Sequence, residues 1–190
     1  MIPSSQEIIY RLYGALRLAR FDSGGANYFE TSPEAAARSF FAALLVAPAY
    51  FFIDLLMAAE TPAQDVTLFT VLVEILIYSL SWTVFPVVAH FVCLSIDRQQ
   101  AYFRFLAATN WAKVLTYHLG LALFALVFAE VLPASLGALL GLGAVGYLIG
   151  YQWFIARSCL NISAAGAAGF LMLQILIDFF IVSFVAVIFT

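Results

Sequence analysis

Five apolar runs, each long enough to cross a bilayer, govern what this chain can fold into. They fall at about residues 36–58, 67–95, 103–129, 134–156 and 165–189. A spanning helix needs roughly 20 mostly apolar residues, and each run supplies them. Only 10% of the 190 residues are charged and 65% are hydrophobic, whereas a soluble domain is usually about 25% charged. The expected solvent is therefore lipid. With no water to satisfy the backbone in that solvent, the runs read as helices. The predicted fold class is all-α: a polytopic membrane bundle of five transmembrane helices with an N-terminal cytosolic amphipathic helix. Residues 1–35 form the N-terminal segment and residues 36–190 the membrane domain.

Within residues 1–20, Ser4 and Glu7 have capping-box spacing. Ile8, Leu12 and Leu16 recur every fourth residue, beside Ile9 and Tyr13. Arg11, Arg17 and Arg20 add a basic, membrane-surface flank. Two placements are open for this helix: flat in the headgroup layer, or packed against the cytosolic end of the bundle. Gly24, Gly25 and Pro33 break the chain after it, and Thr31-Ser32-Pro33-Glu34 is a strong helix start. Pro48 lies inside the first run and Pro86 inside the second, where it should bend the helix. An acidic loop with Glu60, Pro62 and Asp65 joins those two runs.

Charge placement gives the expected orientation. Arg11, Arg17, Arg20 and Arg38 precede or open the first run, Arg98 and Arg104 lie between runs two and three, and Arg157 lies between runs four and five. A five-span layout puts all of them on one side. The opposite loops hold Glu60, Asp65 and Glu130. By the positive-inside rule the N-terminus is expected in the cytoplasm and the C-terminus in the periplasm of a bacterial inner membrane. The polar opening residues give no sign of a cleavable signal peptide. Cys93 and Cys159 fall near the basic ends of spans, on a reducing side, so free thiols are expected.

The third run carries the only lysine, Lys113, together with His118. Ionisable groups in a span need partners and are functional candidates by default. By depth, Asp178 in the fifth run matches His118, and Lys113 lies about a turn and a half nearer the cytosol. A Lys113–Asp178 or His118–Asp178 contact is therefore expected, either fixing helix register or forming a relay; the alternative is that Lys113 snorkels toward the cytosolic headgroups without pairing. Asn110, Lys113 and Tyr117 share one helix face. Glu74 and Asp54 are placed to form an acidic outer vestibule, or simply to sit at the interface. His90, a turn beyond Pro86, reads mainly as structural, near the Trp82 carbonyl that the proline deprives of its donor.

The fourth run is glycine-rich. Ala134, Gly137, Gly141 and Ala144 gather on one face, and Gly143, Gly146 and Gly150 roughly opposite. Small residues let helices approach closely, so this helix is expected to be central, between two neighbours. A sliding helix in a transporter is the alternative reading.

Metalloprotease, nucleophile-elbow and phosphate-loop motifs are missing from the sequence. No enzyme activity, cofactor or metal is expected, and the few arginines, explained by topology, do not suggest nucleic-acid binding. Two stretches, Tyr102–Leu121 (YFRFLAATNWAKVLTYHLGL) and Gly150–Asp178 (GYQWFIARSCLNISAAGAAGFLMLQILID), resemble the Yip (Rab-interacting membrane protein) superfamily. The first looks like that family's third span with its polar entry; the second has its Trp-containing helix end, basic connection and small-residue helix start. Asn110-Trp111 stands where many members have Gly-Tyr, and the eukaryotic Asp-Leu-Tyr-Gly-Pro motif is missing. The resemblance implies a non-enzymatic membrane protein. The leading expectation is a structural or interaction component that binds lipids, other integral membrane proteins or itself. The alternative is a small proton-linked transporter or channel using Lys113, His118, Asp178 and Glu74. A transporter needs a polar space at mid-depth reaching one surface; a scaffold should have a dry interior with its ionisable groups paired.

Overall fold

The computed structural model describes residues 2–59 and 67–189. All secondary structure among them is helical: α1 (Ser5–Ala19), a 3-10 turn (Ser23–Tyr28), α2 (Pro33–Ser39), α3 (Phe41–Ala59), α4 (Leu68–Ser95), α5 (Gln99–Phe128), α6 (Ala134–Leu160) and α7 (Ala164–Phe189). Five stretches are long and apolar enough to cross a membrane: Pro33–Met57, Leu68–Ser95, Gln99–Phe128, Ser135–Leu160 and Ala164–Val185. The acidic loop with Glu60, Pro62 and Asp65 lies outside the described residues.

Helix starts follow the local chemistry. Ser4 Oγ accepts from the Glu7 N–H at 3.2 Å, and Ser32 Oγ accepts from the Ala35 N–H at 3.2 Å with Pro33 opening the helix. These side chains satisfy donors that the first helical turn leaves free. Phe21, Asp97, Glu130 and Asn161 have positive φ of 57°, 57°, 56° and 52°. Each stands where a helix must stop and the chain turn back, the usual place for a left-handed residue.

α5 is the central helix, packed by α1, α2, α3, α4 and α6, while α6 also packs on α7 and α7 on α4. Its 30 residues span about 45 Å, beyond the ~30 Å hydrocarbon thickness. The N-terminal segment closes over this bundle. Tyr151 Oη donates to the Ala15 carbonyl at 2.8 Å, Tyr147 Oη to that of Ala19, and Arg104 Nε to that of Phe29 at 3.2 Å. Gly25 is pressed against the Gly14 carbonyl, which a Cβ would meet at 2.7 Å, so α1 and the 3-10 turn cross at a point only glycine permits.

The docked face of α1 takes only part of the apolar stripe, with Ile8 and Leu12 half-buried against the core. Arg11, Gly14, Ala15 and Leu18 are buried, while Ile9, Tyr13 and Leu16 are exposed. Arg11 is only 6% exposed and is held by Glu30 and the Tyr28 carbonyl, so it is an interior fastening and not a membrane-surface residue. Arg17 is likewise engaged, with Asp22. Arg20 alone of the three is exposed without a side-chain partner among the described residues.

The two halves of the bundle are packed differently. At the α1 end, Cys93, Trp111, Tyr151, Ile155, Cys159 and Leu160 are at most 2% exposed, and both cysteines are free thiols. Asn110 Nδ2 donates to Ser39 Oγ at 2.9 Å, tying α5 to α2, and Ser39 in turn donates to the Ala36 carbonyl at 2.6 Å. The far half, toward the α3–α4 and α5–α6 connections, has few fully buried side chains.

α6 does lie between two neighbours, α5 and α7, but not all of its glycines face them. A Cβ on Gly137 would meet Val127 Cγ2 at 2.5 Å, and one on Gly150 would touch Phe21 at 3.6 Å, but Gly141, Gly143 and Gly146 have no atom within 4 Å of that position. Most of the two small faces is therefore not where α5 and α7 touch this helix. α6 meets its partners through larger side chains such as Tyr151 and Ile155 near its end.

Candidate functional site

Three helix stripes carry polar residues from the packed half into the far half. On α4, Glu74, Tyr78 and Trp82 continue the buried line of Phe85 and Ala89 at helical spacing. On α3, Tyr50 and Asp54 continue from buried Val46. On α7 the stripe runs Ala167, Phe170, Gln174, Asp178, Ile181 and Val185. Ala167, Phe170, Ile181 and Val185 are buried, yet Asp178, between them, is exposed. Asp178 thus interrupts the buried stripe of α7 with an exposed carboxylate.

Lys113 forms one end of this constellation. Its Nζ lies 4.3 Å from the centroid of the Trp82 ring and donates to the Ser81 carbonyl at 3.4 Å. The ring face supplies negative quadrupole density to a cation with few other partners. Among the described residues no carboxylate lies within ion-pair distance of Lys113. Asp178 is close enough for its charge to act on Lys113 and on Tyr117, but the direct Lys113–Asp178 pair expected from depth matching does not form. Trp82 and Ser81 on α4 hold the ammonium instead.

From Trp82 an aromatic path leads to the carboxylates. The rings of Tyr78 and Trp82 are 6.0 Å apart, those of Tyr50 and Tyr78 4.8 Å, and those of Tyr50 and Tyr117 6.0 Å. Tyr50 Oη donates to Glu74 Oε2 at 3.1 Å, and the charge of Asp54 is felt at both. Glu74, Tyr50, Tyr78, Tyr117 and Lys113 thus follow one path between α3, α4 and α5, with Asp178 of α7 near its Lys113–Tyr117 end. Carboxyl groups with no fixed cation can take up and release protons, and phenols can pass hydrogen bonds between them.

The histidines stand apart. His118 Nδ1 donates to the Val114 carbonyl of its own helix at 2.8 Å, and the ring is exposed. The expected His118–Asp178 contact is therefore not made, because His118 has turned off the face shared by Lys113 and Tyr117. His90 packs its ring 5.0 Å from that of Tyr102, whose Oη donates to the Pro86 carbonyl at 2.9 Å. That is an aromatic brace at the proline, away from Lys113.

Tyr50, Tyr78, Trp82 and Ser81 did not stand out in the sequence. The signal that could have found two of them, Tyr78 and Trp82, is their four-residue spacing from Glu74, which runs on into apolar Phe85 and Ala89. Among the described residues no cluster of His, Cys, Asp and Glu is arranged to hold a metal. Neither a family model, nor a curated protein, nor a solved structure matches this chain.

Proposed function

We propose that the chain is a multi-pass protein of a bacterial inner membrane that takes a small polar or cationic solute, with protons, into a chamber in the outer half of its bundle. Lys113, Asp178, Glu74 and Asp54 are its ionisable groups, and the packed cytosolic half with its N-terminal cap is the closed gate. Its N-terminus faces the cytoplasm, on the side of the seven arginines. The observation that carries this reading is the exposure of Asp178 on the inward stripe of α7. An ionised group held dry and unpaired in the membrane costs several kcal/mol. A wet chamber, or one whose groups exchange protons, removes that cost.

The test is water access, then flux. In a background with Cys93 and Cys159 replaced by serine, Asp178→Cys and Tyr117→Cys should react with a membrane-impermeant cationic thiol reagent added from the outer face. Leu176→Cys, on an exposed apolar position of the same helix, should be shielded by lipid. Vesicles holding the wild-type protein should also lose an imposed pH gradient faster than vesicles holding Asp178→Asn. Absence of labelling at position 178 excludes the chamber, and equal leakage excludes the role of its carboxylate.

A second reading, as an interaction component, draws on the outward stripe of Ile9, Tyr13 and Leu16 on the docked α1. Such a stripe beside exposed Arg20 suits the headgroup layer or another membrane protein. The Yip likeness points the same way. A normal pull-down profile after Ile9→Ser/Tyr13→Ser/Leu16→Ser would count against it.

A further inference from the structure

A cavity of about 640 Å³ lies at the α1 end of the bundle, between the last turn of α4 and the first turns of α7. It belongs to neither the polar chamber nor the N-terminal cap. Its walls are mostly apolar, built from Val92, Ile96, Phe170 and Leu173, and Arg98 stands among its lining residues. The volume is within the ~300–1,000 Å³ usual for small-molecule sites.

We infer that this cavity holds one anionic glycerophospholipid, its phosphate against Arg98 and an acyl chain along Val92, Phe170 and Leu173. Charge is the first argument. Arg98 is exposed, and no carboxylate lies within ion-pair distance of it among the described residues. Arginine's planar fork suits a phosphate, which accepts two parallel hydrogen bonds from it. The neighbouring Asp97 points against a free anion held by charge alone, because its own carboxylate is also unpaired there. A ligand that adds apolar burial to the phosphate contact overcomes that repulsion.

Depth is the second argument. Trp153, which donates from Nε1 to the Ala164 carbonyl at 3.0 Å, stands beside Arg157, whose guanidinium lies 5.3 Å from its ring centroid. Trp and Arg side by side mark the headgroup level of a spanning bundle. The cavity mouth is at that level and its apolar walls run toward the hydrocarbon. Space is the third. A Cβ at Gly169 would meet nothing within 4 Å, so the wall is open at the place an acyl chain would occupy.

The full-length protein, reconstituted into vesicles of phosphatidylcholine and phosphatidylglycerol in equal amounts and re-extracted in mild detergent, tests this by mass spectrometry of the retained lipid. Wild type should keep phosphatidylglycerol in preference to phosphatidylcholine. Arg98→Gln should cut that preference about tenfold, the effect of losing a charge-assisted hydrogen-bond pair. Gly169→Leu should lose bound lipid of both kinds while Gly169→Ala behaves as wild type, which separates a filled cavity from a misfolded chain. Undiminished phosphatidylglycerol in Arg98→Gln or in a folded Gly169→Leu overturns the inference. Release of the lipid by millimolar inorganic phosphate alone overturns it in favour of a free-phosphate site. The outcome is independent of whether the chamber on the other side conducts anything.

Discussion

The ammonium of Lys113 sits over the indole of Trp82, 4.3 Å from the ring centroid, and not against a carboxylate. Its one described hydrogen bond goes to the Ser81 carbonyl. The oxygen it uses is that of Ser81, not the Trp82 carbonyl that Pro86 leaves without its helical donor, so α4 offers the lysine a ring and one backbone carbonyl. A cation–π contact sheltered from water is worth up to about 2 kcal/mol. Trp82→Leu and Lys113→Met should therefore be strongly coupled. In a double-mutant cycle of denaturation midpoints in detergent, we expect a coupling of about 1–2 kcal/mol. Strictly additive effects would show that the lysine takes nothing from the ring.

Two adjacent residues of α5 should respond in opposite directions. Asn110 is buried and donates to Ser39, a bond between helices that lipid cannot replace. Asn110→Ala should destabilise by about 0.6–1.7 kcal/mol, the range for polar contacts between spanning helices. Thr109 is also buried, but its hydroxyl has no hydrogen-bond partner among the described residues. Thr109→Val keeps the shape and removes the unsatisfied group, so it should be neutral or stabilising by up to about 1 kcal/mol. Thermal midpoints of the two variants in one detergent decide it, and a loss for Thr109→Val equal to that of Asn110→Ala would contradict the assignment.

These contrasts mark where the chain's own pattern stops being informative. The five long apolar helices and their order follow from apolar run length, and the starts of α1 and α2 from the Ser4 and Ser32 caps, because each depends on neighbours in sequence; α5 starts earlier, at Gln99, and α6 ends later, at Leu160, than the apolar runs alone mark. Lys113, Asp178 and Glu74 were visible as oddities for the same reason. Which of them meet was not visible, because a lysine stem can reach several atoms at one depth, and here Trp82 on α4 takes the ammonium before Asp178 on α7 does. The docked face of α1 was hidden for a different reason. Its apolar residues are split, Ile8 and Leu12 inward and Ile9, Tyr13 and Leu16 outward, and the fully buried face consists of Gly14, Ala15, Leu18 and an arginine whose partners Glu30 and Tyr28 are more than fifteen residues away. Nothing in the periodicity of residues 1–20 encodes those partners.

Glycine substitutions along α6 should divide by position, not by stripe. At Gly137 a methyl group would press on the branched Val127 side chain at 2.5 Å. Gly137→Ala should therefore destabilise, by about 1–3 kcal/mol as overpacking does. At Gly141, Gly143 and Gly146 the space is open, and alanine there should be neutral or gain up to about 1 kcal/mol from helix propensity. Unfolding midpoints of the four variants test this. Losses at Gly143 and Gly146 matching that at Gly137 would mean that a neighbour, such as a second copy, closes on α6 in the membrane.

The N-terminal cap should loosen in acid. The Arg11 guanidinium holds the Glu30 carboxyl below its ordinary value of 4.5, and the Arg17 side chain, with the Gly24 N–H, holds Asp22 below its ordinary 3.8. Groups lowered in the folded state stabilise it above their unfolded values, and that contribution is lost as the pH falls through the folded ones. Docking of α1 should thus be constant from pH 7 to about 4.5 and weaken below. Glu30 and Asp22 are 56% and 44% exposed at their side chains, so solvent screening keeps the effect modest. Hydrogen exchange of the α1 amides across this range reads it directly. Glu30→Gln with Asp22→Asn should already exchange faster at pH 7 and show a shallower acid response, since both carboxyls held down by arginine are then gone. An acid response as steep in that double variant as in wild type would place the trigger outside these two ion pairs.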